Sequence, residues 1–199
     1  MEIIFATHNQ HKAKEIQAIL PEGMKVVTLK DLQFTDEIPE PFHTLEENSL
    51  MKAETIRNEF DKSVIAEDTG LEVFAIGNKP GVFSARYAGE NAGSEENMRK
   101  LLNDMEKISA REARFRTVLT YIQPDGEKYQ FEGIVEGEIA REPRGNSGFG
   151  YDPIFIPKGF SKTFGEVEPA EKYQISHRTR AFQAFVEFLT KHHSGQSVQ

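Results

Sequence analysis

The 199 residues suffice for one domain, or one domain with a small second lobe, and a 38% hydrophobic, 28% charged composition fits a folded chain, not a disordered one. The absence of cysteine excludes disulfides, zinc–thiolate sites, iron–sulfur clusters and a cysteine nucleophile. Lys and Arg number 24 against 32 Asp and Glu, and the net charge of −8 argues against a nucleic-acid polymer as partner while leaving room for one positive pocket around a small anion.

The apolar run Glu2 to Ala6 predicts a buried strand. A helix is expected from about Lys12 to Leu20, with Ala13, Ile16, Ile19 and Leu20 on one face, and a second strand over Lys25 to Leu29. Pro39 and Pro41 mark Asp36 to His43 as a loop. Thr44 and Glu47 fit a capping box for the next helix, whose core side is Leu45, Ala53, Ile56 and Phe60. Ser63 to Ala66 and Leu71 to Ala75 read as two strands flanking Glu67-Asp68-Thr69-Gly70, and Gly77 to Gly81 as a turn. Ser94 is expected to cap a helix carrying Met98, Leu101, Leu102 and Met105 at helical spacing.

Phe115 to Ile122, the turn Pro124-Asp125-Gly126 and the alternating segment Tyr129 to Ile139 predict a hairpin. Glu142 to Gly150 is a loop, Pro153 to Ile156 a short strand, and Ser176 to Lys191 a last helix with Phe182, Phe185, Phe188 and Leu189 inward. The expected organisation is one domain over 1–191 and a polar tail over 192–199. Helices alternating with strands and interrupted by a hairpin give an α/β fold with a mixed sheet. No stretch reaches the ~20 apolar residues of a membrane span. MEIIFATHNQHK lacks the basic and apolar regions of a signal peptide, so no membrane partner and a cytoplasmic location are expected.

Four segments carry candidate chemistry. Thr7-His8-Asn9-Gln10-His11-Lys12 joins a buried strand to a helix start, where backbone N–H groups and polar side chains favour an anion; it also fits a capped turn with a surface lysine. Glu67 and Asp68 are adjacent acids, costly if buried unpaired, and Mg²⁺ would relieve that cost; a solvated turn is the alternative. Gly148-Phe149-Gly150-Tyr151-Asp152 offers a bendable backbone, a ring able to stack on a purine and a carboxylate able to accept from a ring N–H. It equally fits a loop whose aromatics return to the core. Lys172 is a candidate phosphate contact. His177 and Arg178 fall in the first helical turn, where a cation opposes the macrodipole unless an anion or a base carbonyl compensates. Lys52, taken alone, reads as a surface lysine.

The ordered set T-x-N-x-x-K (Thr7 to Lys12), E-N-x-x-x-K-A (Glu47 to Ala53), A-E-D-T-G-L (Ala66 to Leu71), P-G-V-F-S-A-R-Y (Pro80 to Tyr87), G-F-G-Y-D-P-I-F (Gly148 to Phe155) and E-K-x-x-I-S-H-R (Glu171 to Arg178) resembles the inosine triphosphate pyrophosphatase family. The resemblance runs from Ile3 to about Leu189. It implies an elongated mixed sheet with flanking helices, in two lobes around a nucleotide-binding cleft, and a homodimer. It implies hydrolysis of ITP, dITP and XTP to the monophosphate and pyrophosphate. By position, the Thr7 to Lys12 loop would hold the triphosphate, and Asp68 would be the catalytic acid–base group and a Mg²⁺ ligand with Glu40. Thr69 would contact substrate, Phe149, Gly150, Tyr151 and Asp152 the base and sugar, and Lys172, His177 and Arg178 would complete the pocket. Lys12, Lys52 and Lys172 would stabilise anionic oxygens. The runner-up readings are a pyrophosphatase acting on other modified nucleotides and a non-catalytic nucleotide-binding module.

Overall fold

The computed structural model describes residues 2–194. β1 (Glu2–Phe5) buries Ile3, Ile4 and Phe5 completely and pairs in parallel with β2 (Lys25–Thr28) and β3 (Val64–Val73). α1 (Gln10–Gln17) links β1 to β2 and ends three residues before the expected boundary; Ile19 and Leu20 still pack on the same core from the turn that follows. α2 (Leu45–Phe60) starts as expected. Thr44 Oγ1 accepts the Glu47 N–H at 3.2 Å and donates to the Glu47 carboxylate at 2.7 Å, a cap worth about 1 kcal/mol.

The largest departure from expectation is β3. It does not break at Glu67 to Gly70 but runs through them for ten residues. Gly70 serves close packing, not a turn: a Cβ there would lie 2.6 Å from the Gly81 carbonyl oxygen, where β4 (Lys79–Gly81) pairs antiparallel with β3. The expected turn over Gly77 to Gly81 is thus a turn followed by this short strand. α3 (Ser94–Asp104) is capped by Gly93, not Ser94, with the Gly93 N–H donating to Glu96 at 2.8 Å.

β5 (Glu112–Ile122) and β6 (Lys128–Ile139) form the expected hairpin. β7 (Phe155–Pro157) is shorter than expected because Asp152–Ile154 form a 3-10 turn before it. The last helix starts where expected, as α5 (His177–Ser194), and an unexpected shorter helix, α4 (Pro169–Ile175), precedes it, with an extended backbone at Ser176 between the two. Helix therefore persists into the expected tail, and 195–199 lie outside the described residues. Among the described residues, seven strands form one mixed sheet in the order β2-β1-β3-β5-β6-β7, with β4 on β3.

The chain divides into two compact units. The first comprises Met1–Asp68, Val118–Glu132 and Arg180–Gln199. One core there joins Ile3, Phe5 and Ile65 to α1 and to Phe182 and Phe185 of α5; a second joins Ile4, Val64 and Ala66 to Ala53 and Ile56 of α2. The alternation of β3 thus assigns odd residues to the α1 side and even residues to the α2 side. The edge-on contact of Phe5 with Phe182, at 5.8 Å and 85°, adds about 1 kcal/mol beyond burial. The second unit, Thr69–Thr117 and Gly133–Thr179, has its own core of Leu71, Val73, Leu101, Phe115, Phe155 and Phe164. No described helix is long and apolar enough to cross a membrane.

Candidate active site

In the first unit, the β1–α1 turn uses its small polar side chains to build itself. Thr7 Oγ1 accepts the Asn9 N–H at 3.1 Å, and Asn9 Oδ1 accepts the Lys12 N–H at 3.3 Å, capping α1. Gln10 donates to the Thr28 hydroxyl at 3.2 Å, and the His8 ring lies 3.3 Å from the Asp36 carbonyl. The His11 side chain lies outside the described residues. Lys12 projects away from the turn and pairs with Glu67 at 2.6 Å.

Glu67 and Asp68 are neighbours in sequence only. Strand alternation turns Glu67 to the α1 side and Asp68 to the α2 side, so each meets its own lysine. Lys52 of α2 is buried, not a surface lysine. Its ammonium bridges Glu40 at 2.6 Å and Asp68 at 3.3 Å. Removing it would leave two carboxylates uncompensated, a cost of about 3–5 kcal/mol. Glu40 is brought there by Asn48, which is fully buried and clamps the Phe42 backbone, accepting its N–H at 3.0 Å and donating to its carbonyl at 3.2 Å.

Asp68 is only 8% exposed, and burial raises its pKa to about 6 against the opposing pull of Lys52; the Glu40 carboxylate adds to the rise. Hydrogen bonding from Lys52 and from the Asn48 amide pulls the other way. Burial would depress the Lys52 ammonium, but Asp68 and Glu40 outweigh it and hold its pKa above the usual value. One oxygen of Asp68, Oδ2, is buried without a hydrogen-bond partner. Among the described residues no three His, Asp or Glu side chains converge as a metal cage. Mg²⁺ needs none: one or two carboxylates suffice when water and phosphate oxygens complete its shell. The orphaned Asp68 oxygen and the Glu40 carboxylate fit that requirement.

In the second unit, the Gly148 to Asp152 loop is wound around one carboxylate. Asp152 Oδ2 accepts the Phe149 N–H at 2.7 Å and the Lys172 ammonium. Gly148 has φ +79°, and a Cβ there would lie 2.1 Å from the same oxygen. Phe149 is 59% exposed, yet Lys172 Nζ and the Arg178 guanidinium lie 4.9 Å and 5.6 Å from its ring centre. Gly150 carries the loop on at φ +62°. Tyr151 is buried in the core of this unit and donates its hydroxyl to the Ser84 carbonyl at 2.8 Å. Ser176 caps α5 by accepting the Thr179 N–H at 3.2 Å, which places His177 and Arg178 in the first turn, both buried. The His177 ring stacks on Phe115 at 4.8 Å, and its Nδ1 is 2.7 Å from the Thr117 hydroxyl; Thr117 in turn is 2.7 Å from the Thr69 hydroxyl.

Comparison with protein families matches residues 3–188 to the Ham1 family. The chain belongs to the Ham1 family. A dITP/XTP pyrophosphatase of Bacillus subtilis is 48% identical over 191 residues, 94% of this chain and 96% of that protein. One of Christiangramia forsetii is 44% identical over 191 residues, 96% of this chain and all of that one. Among solved structures, the Ham1 protein of Staphylococcus aureus superposes with a TM-score of 0.91 at 41% identity, covering 96% of this chain and 100% of that one. A HAM1 protein of Coxiella burnetii gives 0.91 at 37% identity, with 96% and 99% covered. The family resemblance read from the motifs and the mixed α/β fold are both borne out.

Within this Ham1 chain the sequence reading missed three contributors. Asn48 stood in a quoted motif, but only the folded loop shows that it positions Glu40. Thr117 lies in an alternating strand with no local signal. The Lys12–Glu67 pair joins segments 55 residues apart, and no spacing rule connects them.

Proposed function

We propose that this protein hydrolyses non-standard purine nucleoside triphosphates, among them ITP, dITP and XTP, to the monophosphate and pyrophosphate, with Mg²⁺ as its cofactor. The observation that carries the reading is the Glu40–Lys52–Asp68 set, with Lys52 and Asp68 buried, Glu40 partly exposed and one Asp68 oxygen orphaned. Two carboxylates, one of them buried, sharing one ammonium are incomplete as a structural device and apt for a cation and a polyphosphate. The relatives named dITP/XTP pyrophosphatase support the substrate class.

Asp68 and Glu40 would hold the Mg²⁺, which when bound neutralises charge on the phosphate oxygens. Asp68, with a pKa of about 6, is largely ionised at neutral pH and close enough to it to take a proton from the attacking water. The water oxygen bonds to the α-phosphorus, and the bond from that phosphorus to the α–β bridging oxygen breaks. Pyrophosphate leaves with the bonding electrons. Lys12 and Lys52 stabilise the anionic oxygens, Lys12 by exchanging Glu67 for phosphate.

In the second unit, Phe149 offers a stacking face, with Gly150 shaping the loop and Tyr151 anchoring it. Asp152 holds the loop and Lys172 together. His177 and Arg178 supply donors toward the 6-oxo edge, and Thr69 contacts the substrate. A 6-oxo purine accepts where adenine donates, so an inward-facing donor rejects adenine by polar mismatch. The resemblance extends the proposal to a homodimer in the cytoplasm.

The test is a substrate panel of ITP, dITP, XTP, GTP, ATP and modified pyrimidine triphosphates with Mg²⁺, assaying pyrophosphate and orthophosphate separately. Pyrophosphate from ITP and XTP, with little from ATP, is expected. Orthophosphate as the product, or preference for a pyrimidine, would overturn the reading.

A further inference from the structure

Among the buried hydroxyls that the mechanism above does not use, one touches a residue of the proposed base site. Thr117 of β5 is fully buried and touches two polar groups: the Thr69 hydroxyl and His177 Nδ1, each at 2.7 Å. A hydroxyl has one proton to give and two lone pairs to receive with. The chain Thr69–Thr117–His177 therefore has two consistent proton arrangements. In one, Thr69 donates to Thr117, and Thr117 donates to Nδ1. In the other, Nδ1–H donates to Thr117, Thr117 donates to Thr69, and the Thr69 proton must find a further acceptor.

Two observations bear on His177. The residue is 5% exposed, its ring stacks on Phe115, and it sits in the first turn of α5, where the helix dipole opposes a positive charge. Both favour the neutral ring. A neutral imidazole donates from one nitrogen and accepts at the other, and its partner on one side sets the role of the other side. The first arrangement satisfies both hydroxyl protons inside the protein; the second leaves the Thr69 proton to solvent or substrate.

We propose that Thr117 is a positioning residue for base recognition: its hydroxyl donates to His177 Nδ1, fixing the proton on Nε2 and making that nitrogen a hydrogen-bond donor. This deepens the function proposed above and rests on it for the consequence, namely discrimination of a 6-oxo from a 6-amino purine. The tautomer itself does not rest on it.

The experiment has two arms. In the first, long-range ¹H–¹⁵N spectra of the nucleotide-free wild-type protein, with His177 assigned through His177→Gln, report which ring nitrogen is protonated. Nε2–H is expected; Nδ1–H would overturn the proposal even if ITP is hydrolysed. In the second, Thr117→Val removes the hydroxyl at constant shape and Thr117→Ser restores it. Thr117→Val is expected to lower the ITP-to-ATP ratio of kcat/KM about tenfold, through KM and not kcat, with Thr117→Ser returning it toward wild type. A Thr117→Val protein with an unchanged ratio, or a loss shared equally by ATP and ITP that serine does not rescue, would overturn it. Failure of wild type to hydrolyse ITP would sink the proposed function instead, and the first arm would still decide the tautomer.

Discussion

The charged set of the first unit and the aromatic set of the second are built on opposite principles. Glu40, Glu67 and Asp68 set three carboxylates against the two ammonium groups of Lys12 and Lys52, and one buried oxygen is left over. In the second unit, one oxygen of Asp152 is held by the Phe149 N–H and Lys172, two cations lie over one ring, and His177 is held by Thr117. The first set stores unbalanced charge, which burial makes expensive and a cation with polyphosphate relieves. The second stores shape, already paid for within the fold. Perturbing the first should therefore destroy chemistry, and perturbing the second should change which nucleotide is preferred.

The largest effect tests the charge imbalance directly. Exhaustive chelation is expected to abolish hydrolysis of ITP and added Mg²⁺ to restore it; full activity in EDTA would break the account of the first set. Next, Asp68→Asn keeps the shape but removes both the charge and the proton acceptor. Turnover should fall by at least ~10²-fold while ITP still binds, and near-normal turnover would show that another group is the base.

The shape set should respond in two ways. Phe149→Ala is expected to weaken every nucleotide alike, because stacking is worth about 1–3 kcal/mol per base whatever the base. Arg178→Ala should lower kcat/KM for ITP and XTP more than for ATP. If it scales all four of ITP, XTP, GTP and ATP equally, Arg178 acts on the phosphates or on the Phe149 loop alone, and the contrast between the two sets is softer than drawn.

The smallest effect concerns stability. Because the folded-state pKa of Asp68, about 6, lies above its ordinary 3.8, folding favours the protonated acid. Its contribution is fully present below about pH 3.8 and is lost as pH rises through about 6. In metal-free protein, Asp68→Asn should therefore gain stability over wild type across that window, by a total of about 1–3 kcal/mol at neutral pH. Denaturant melts at several pH values measure it. An Asn variant less stable than wild type at neutral pH would mean that pairing with Lys52 outweighs burial.

Much of the frame was legible in the chain because it rests on local patterning. The β1 run, the Thr44–Glu47 cap and the Pro124-Asp125-Gly126 hairpin turn each carry their signal within a few residues. The continuity of β3 was not legible: two acids, a threonine and a glycine look like a turn, and only the close approach of Gly81 explains the glycine. The start of α5 at Ser176 was legible, but α4 was not: its seven residues are too few to set an apolar face apart. Of the site, the residue types were readable and the partnerships were not. Lys52 looked like a surface lysine because its two carboxylates come from a loop and from a strand 12 and 16 residues away.

The unbroken course of β3 has a consequence for how this site can vary. Glu67 and Asp68 reach different lysines only because consecutive strand residues face alternate sides. Composition along the strand can drift, since another acid or hydroxyl still arrives at its partner. Its count cannot: deleting one residue upstream of Glu67 would send every following side chain to the other face, handing the Asp68 carboxylate to Lys12 and taking it from Lys52. The site is guarded by parity as much as by identity, and single-residue length changes in β3 should be absent from active variants even where substitutions are tolerated.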